Sequence, residues 1–437
     1  MSLGGIRLPV ALLIILTISR VHQYYGIIVS LRPALLAYGW AFAVLALGTR
    51  KGVAFENWKQ LPIRLVLLLG GAALLSMPLG ISFGGSASFF LSSYSKVLIL
   101  CLLIAAAMRS PDDFWTMVWA YVIGVGLLCW LCLTKTTSVT GSGGFVRMGD
   151  AATYDANDIG LVCLTGIPLC FITLRTSRTV GKVASVAIIA LSCVAIAKTG
   201  SRGAFIGIVA VALALLVLAR EMSVLKRVAI GVAGAAALGL AAPAGYLKQM
   251  STMFNTTSDY NYTAPTGRME IARRGFGYLK RNPITGIGLM NFARAEGTLS
   301  EAAQEFEMGG AGVKWSAAHN SYLQAVVEMG IIGGGVFLTL IWVGLTSGRR
   351  LRRRLGQRSP PDRRAGLLIA AASDYLPIAF VSFAVPAFFL SFAYMDPMYI
   401  LSAFAAAAFG LVGRTMSPPA RSPRPGRFQS VARSSRA

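Results

Sequence analysis

The chain has 437 residues, of which 55% are hydrophobic and 13% charged, with a mean hydropathy of +0.64. A soluble globular domain carries roughly 25% charged residues, so the composition excludes an ordinary soluble fold and points to an integral membrane protein. The formal charge of +24 raises nucleic acid as a partner. The basic residues are instead scattered over short segments between apolar runs, the pattern of membrane topology, so no nucleic-acid partner is expected.

Taken in chain order, twelve apolar stretches approach the length of about 17–25 residues that crosses a bilayer core. They cover about 5–19, 33–48, 62–83, 90–108, 113–134, 158–174, 181–197, 203–219, 226–243, 321–346, 365–391 and 393–413. The first is short, and Lys96 interrupts the fourth. No small-residue cleavage site follows the first run, so it reads as a span rather than a removed signal. Placing both ends in the cytoplasm puts 26 of the 41 Lys and Arg in cytoplasmic segments and seven in short outer loops. The remaining eight fall in one long loop, about 244–320, which is too long to follow the positive-inside rule. That loop is expected to face outward. No internal repeat is apparent, which argues against a secondary transporter.

The six cysteines, Cys101, Cys129, Cys132, Cys163, Cys170 and Cys193, all lie inside apolar runs. Cys129 and Cys132 form a CxxC there, which reads as packing rather than redox or zinc chemistry.

Within the long loop, Thr266 is placed to cap a helix over "GRMEIARRGFGYLKRN", with Glu270 in its first turn. Met269, Ala272, Phe276 and Leu279 make one apolar stripe, expected to lie on the membrane surface or on the bundle. Asn282-Pro283 ends the helix. The GxG of "PITGIGLMNF" follows no strand, so it reads as a turn and not as a dinucleotide fingerprint. "EAAQEF" suggests a second short helix.

One of only two histidines, His319, stands at the start of the tenth span, preceded by Lys314 and Trp315. Either it caps that helix with Asn320 and Ser321, or it does chemistry. Glu328 lies further into the same apolar run, where an ionisable group is costly. A functional acid and a packed, hydrogen-bonded one are both open readings. Arg202 and Lys198 flank the outer junction of spans seven and eight, and the choice is between phosphate binding by a planar guanidinium and interfacial snorkelling. Arg147, Asp155, Asn157 and Asp158 precede span six, where Asp158 suits a helix cap. Lys96 opens span four, and Asp396 lies in the tight turn between the last two spans. His22 sits in a plain outer loop and reads as structural.

The outer face thus offers cations beside one base and no cluster of metal-binding side chains. Neither a cofactor nor a metal is expected. Arginines can neutralise a departing pyrophosphate, and an imidazole can accept the proton of an attacking hydroxyl near neutral pH. Glycosyl transfer from a lipid pyrophosphate fits both needs.

Three stretches together resemble the O-antigen ligase/polymerase superfamily of polytopic membrane glycosyltransferases: "TGSRGAFIG" (199–207), "TGRMEIARRGFGYLKRNPITGIGLMNF" (266–292) and "HNSYLQAVVEMG" (319–330). The chain is also similar to the exosortase-associated O-glycosylation ligase subgroup. The resemblance implies an all-α, GT-C-type protein of about twelve transmembrane helices in a bacterial inner membrane, with its site facing the periplasm. Spans one to nine would occupy 1–243, a periplasmic catalytic loop with amphipathic helices 244–320, spans ten to twelve 321–413, and a basic disordered cytoplasmic tail 414–437. It implies metal-independent, inverting transfer of a glycan from undecaprenyl pyrophosphate to lipid A–core, another glycan or a protein. His319 matches the family's essential histidine, and Arg202 and Arg268 match its pyrophosphate-binding arginines. Asp396 matches an acidic residue of the last outer loop only loosely, and Lys96 and Arg147 come from the charge pattern alone. A Wzy-type polymerase or a protein O-oligosaccharyltransferase would share this donor site. A lipid-linked-sugar flippase would need basic residues through the bilayer, where buried charges are few (Asp374, Glu328 and, nearer an edge, Lys96). A structural membrane subunit would need none of the pattern.

Overall fold

The structure, a computed structural model, describes residues 5–47, 53–140, 146–150, 152–254, 264, 267–301, 303, 315–356 and 363–415. It is almost entirely helical. The first half comprises α1 (Arg7–Ser19), α2 (Gly26–Leu31), α3 (Pro33–Leu47), α4 (Leu61–Ser76), α5 (Phe83–Phe89), α6 (Ser95–Ala107) and α7 (Pro111–Lys135). A two-stranded antiparallel hairpin, β1 (Ser138–Thr140) and β2 (Val146–Met148), leads to α8 (Ala156–Thr176), α9 (Thr179–Thr199), α10 (Arg202–Leu218) and α11 (Val224–Ala241). Short helices α12 (Tyr246–Ser251), α13 (Arg268–Arg281) and α14 (Phe292–Thr298) precede α15 (Ser321–Leu345), α16 (Ser347–Leu355), α17 (Arg363–Ala384) and α18 (Asp396–Thr415).

Among the described residues, nine helices are long and apolar enough to cross a membrane, and α1, α4 and α10 are apolar but shorter. The twelve expected stretches fall on these elements, and the protein is an all-α, multi-pass membrane protein. Local chemistry sets the helix starts. Ser110 and Asp113 form a capping box around Pro111 at α7, and Asp155 and Asp158 form another at α8. Asp155 is therefore the cap, and Asp158 its reciprocal partner.

The third expected span, 62–83, is shorter than the sequence suggests. Helix α4 stops at Ser76, before Pro78, and the chain turns so that Ile81 N–H donates to Ile287 O at 2.8 Å. The fourth, in contrast, continues through Lys96, because a π-turn at Phe90–Tyr94 joins α5 to α6.

Helices α8, α17 and α18 form the buried centre, whereas α11 has no buried residue and stands at the periphery. Helix α8 packs on α7, α9 and α17, α15 packs on α4, and α18 packs on α6 and α4. Helix α13 docks across the end of the bundle on α15, but through a different face from the expected one. Ile271, Gly275 and Tyr278 are buried, while Met269 and Phe276 are exposed. The reason is steric: Gly275 comes so close to Phe292 and Leu323 that an added Cβ would sit 3.0 and 3.2 Å from them.

Candidate functional site

Two residues singled out in the sequence, His319 and Arg268, contact one short segment, 386–391, which joins α17 to α18, and the helix start that carries Arg202 packs on the same segment. His319 immediately precedes α15, and its N–H donates to Ser391 Oγ at 2.8 Å. Its φ of 47° is left-handed, a conformation uncommon outside glycine and costly unless the surroundings impose it. Here they do. Ser321 Oγ donates to Leu390 O at 2.7 Å and accepts Phe392 N–H at 2.9 Å, and Gln324 Oε1 accepts Ala393 N–H at 3.3 Å. The helix cap is Asn320, whose Oδ1 accepts the N–H groups of Tyr322 and Leu323 at 2.9 and 3.1 Å. The exposed His319 side chain is not used as the cap.

Arg202 is the first residue of α10, after Ser201, whose hydroxyl accepts Ala204 N–H at 3.3 Å. The glycines of "SRGAFIG" bring this helix start against segment 386–391. A Cβ on Gly203 would lie 3.0 Å from Phe389 Cβ, and one on Gly207 would lie 2.7 Å from Pro386 Cγ. Arg202 Nη1 donates to Thr252 Oγ1 at 3.2 Å. Arg268 opens α13, and its guanidinium carbon lies 5.7 Å from the centroid of the Phe389 ring, a cation–π contact. Thr266, expected to cap α13, lies outside the described residues, and the cap position is Gly267. Lys314 and most of "EAAQEF" also lie outside them.

Neighbouring charges are arranged around this set. Glu296, buried on α14, takes Arg274 Nε at 3.0 Å and Nη2 at 2.6 Å, and accepts the Tyr278 hydroxyl at 2.8 Å. The bonds to Glu296 hold the Arg274 guanidinium above its ordinary pKa, and burial, with Glu296 adding to it, raises the Tyr278 phenol. Glu270 pairs with Arg273 at 2.9 Å. Glu270 and Glu296 are thus matched to Arg273 and Arg274.

Glu328 is a buried clamp. Its Oε2 accepts Met290 N–H at 2.8 Å and its Oε1 accepts Phe292 N–H at 3.0 Å. Helix α15 kinks two residues later at Gly330, with φ 67°. The kink releases the carbonyls of Val327 and Glu328 from the helical ladder, and they accept Ile287 and Gly288 N–H at 2.9 and 3.0 Å. "PITGIGLMNF" is therefore more than a turn, since it is seated in the kink of α15. Only glycine fits at 330, where a Cβ would fall 2.0 Å from Ile284 O.

Asp396, at the start of α18, pairs with Arg20 Nη2 at 3.1 Å, and Arg20 lies 5.0 Å from the Tyr154 ring centroid. In the sequence Arg20 is one of the seven basic residues counted in the short outer loops. Its position at the end of the first apolar run, at the same expected depth as Asp396, was the available signal. Lys96 lies one residue into α6, and its carbonyl accepts the Tyr38 hydroxyl at 3.1 Å. Arg147 sits on β2 opposite Val139, with a buried Nε. The described contacts do not join Lys96 or Arg147 to segment 386–391. The sequence also gave no hint of that segment itself. "PAFFLS" ends an apolar run and carries no side chain of evident chemistry beyond Ser391.

Beside Arg202 lies an apolar cavity of about 830 Å³, walled by α8, α9, α10 and α11. Phe171, Cys193, Phe205 and Leu238 line it, and Tyr246 and Lys248 of α12 stand at its end. Tyr246 packs edge-on against Phe205 with centroids 6.2 Å apart, and Thr252, which receives Arg202, immediately follows α12.

These features define a class: a polytopic helical membrane protein that gathers two arginines and a histidine at one end of its bundle, next to an apolar cavity. Residues 184–338 match the Wzy_C family model, described as O-antigen ligase. Over this stretch the chain is similar to the O-antigen ligase/polymerase superfamily, whose members are glycosyltransferase-like ligases and polymerases. The matched stretch runs from α9 into α15 and includes Arg202, Arg268, His319 and Glu328, but neither segment 386–391 nor Asp396. No curated protein matches the chain.

Proposed function

We propose that the protein is a lipid-linked glycan ligase. It moves a glycan en bloc from undecaprenyl pyrophosphate to a hydroxyl acceptor, such as lipid A–core, on the periplasmic side of the inner membrane. The observation that carries the reading is the gathering of Arg202, Arg268 and His319 around residues 386–391, with the 830 Å³ apolar cavity beside Arg202. A long isoprenoid chain suits an apolar cavity between helices, and a pyrophosphate suits guanidinium forks.

In this reading the acceptor oxygen attacks the anomeric carbon while the carbon–oxygen bond to the pyrophosphate breaks. The acceptor's proton passes to the His319 imidazole, and the electron pair of the broken bond leaves on undecaprenyl pyrophosphate. Arg202 and Arg268 stabilise the negative charge that develops there. Attack from the face opposite the leaving group inverts the anomeric centre, and the arginines take the part a metal ion plays elsewhere.

The test uses purified full-length protein, an undecaprenyl-pyrophosphate glycan and a lipid A–core acceptor, with EDTA present. Transfer with inverted anomeric configuration is expected. Retained configuration, or a block by EDTA that added divalent metal relieves, would overturn the mechanism.

A further inference from the structure

A second cavity, of about 500 Å³, lies at the other end of the bundle. Trp115 and Trp119 of α7, Thr176 at the end of α8, Ser177, Arg178, Gly181 of α9 and Arg364 of α17 line it. Helix α9 carries the chain from this cavity to Thr199, next to Arg202. At 1.5 Å per residue its 21 residues span about 30 Å, the thickness of a bilayer core. The cavity therefore lies at the opposite membrane boundary from the proposed site.

Its lining is built for an anion. Arg364 sits with its guanidinium carbon 5.6 Å from the Trp115 ring centroid, and its Nη1 lies 3.0 Å from Asp112 Oδ1. Asp112 thus fixes the fork at the rim by one nitrogen. Arg178 is exposed beside it and holds the cap position of α9 without a side-chain cap hydrogen bond among the described residues. Trp119 Nε1 donates to Ser177 Oγ at 3.3 Å. Trp115 Nε1, in contrast, is buried with no hydrogen-bond partner among the described residues. A buried indole N–H normally finds an acceptor. Two cationic side chains and the start of α9 meet at one cavity, and the wall there also holds the Trp115 indole with its buried N–H.

We propose that this cavity binds a phosphate group, and that its source is the headgroup of an anionic phospholipid. Tryptophans at a membrane boundary and basic pockets between helices both favour a lipid over a free ion. The site is independent of glycan transfer, since none of its residues belongs to the set around residues 386–391.

The test is lipid retention by purified full-length protein in detergent, read by native mass spectrometry. Phosphatidylglycerol is compared with phosphatidylcholine, and inorganic phosphate is added as competitor. The variants are Arg178→Gln with Arg364→Gln, both exposed positions, and Trp115→Phe, which keeps the ring and removes the donor. Wild-type protein should retain phosphatidylglycerol about tenfold better than phosphatidylcholine, the worth of one charge-assisted bond. The double variant should lose that preference and Trp115→Phe should weaken it, with unfolding midpoints showing intact folds. Three results would overturn the proposal: equal retention of the two lipids by wild type, unchanged preference in both variants, or phosphate binding without any lipid preference.

Discussion

Replacing Glu328 with Gln tests whether that acid clamps the site or takes part in chemistry. The carboxylate accepts two backbone N–H groups, from Met290 at 2.8 Å and Phe292 at 3.0 Å, in a pocket that leaves it 1% exposed. Hydrogen bonds to a charged acceptor contribute about 1.5–3 kcal/mol each, and a buried donor left without an acceptor costs about 1–3 kcal/mol. Glutamine keeps one oxygen, so one bond survives in weaker, neutral form. Its amide nitrogen faces the other N–H and leaves that donor unsatisfied. The expected loss is about 2–4 kcal/mol, concentrated where "PITGIGLMNF" sits in the kink of α15. Hydrogen exchange in detergent should show faster exchange across residues 286–292, with little change in α8 and α18. Glycan transfer below the unfolding temperature should fall only several-fold, because His319 and both arginines remain. Wild-type exchange across 286–292 combined with complete loss of transfer would refute this reasoning and make Glu328 a reacting group.

Three further outcomes follow from the same geometry. Arg202→Lys should lose most transfer, about tenfold or more, because an ammonium cannot reproduce the guanidinium fork; near-normal kcat/KM would remove a bidentate pyrophosphate role. Gly207→Ala should lower transfer without touching a charged group, because its Cβ would stand 2.5 Å from Leu164 and 2.7 Å from Pro386 and push α10 away from residues 386–391; wild-type rates would show that this packing does not position the site. Burial, with Arg20 beside it, lowers the His22 pKa below its ordinary value of about 6.5. The unfolded chain then binds the proton first, so stability should fall as pH drops through about 6.5 and level off below the folded-state value; His22→Gln should flatten that dependence, and an identical melting-versus-pH curve would contradict it.

The apolar stretches were legible because a bilayer demands long apolar runs: among the described residues nine fall on helices long enough to cross a membrane and three on shorter apolar helices. What the sequence did not disclose depends on contacts between distant residues. Helix α13 has apolar residues on two faces, and bulk pointed to Met269 and Phe276. Gly275, the position where close approach leaves no room for a side chain, marked the docked face instead. Arg20 and Asp396 are 376 residues apart, so their pairing leaves no local pattern. Glu328 read equally well as functional or packed, and its two backbone donors, 38 and 36 residues away, are contacts that no local pattern discloses. His319, Arg202 and Arg268 were all visible by residue type and motif. Their meeting point was not, because residues 386–391 contribute rings and backbone rather than charge.

The most direct test of the account separates binding from chemistry at His319. Wild type and His319→Ala would be compared for retention of an undecaprenyl-pyrophosphate glycan and for single-turnover transfer to lipid A–core, both with EDTA. The account predicts that the variant retains the donor, because Arg202 and Arg268 are intact, yet transfers at least about a hundredfold more slowly, as loss of a general base implies. Equal single-turnover rates in the two proteins would contradict it.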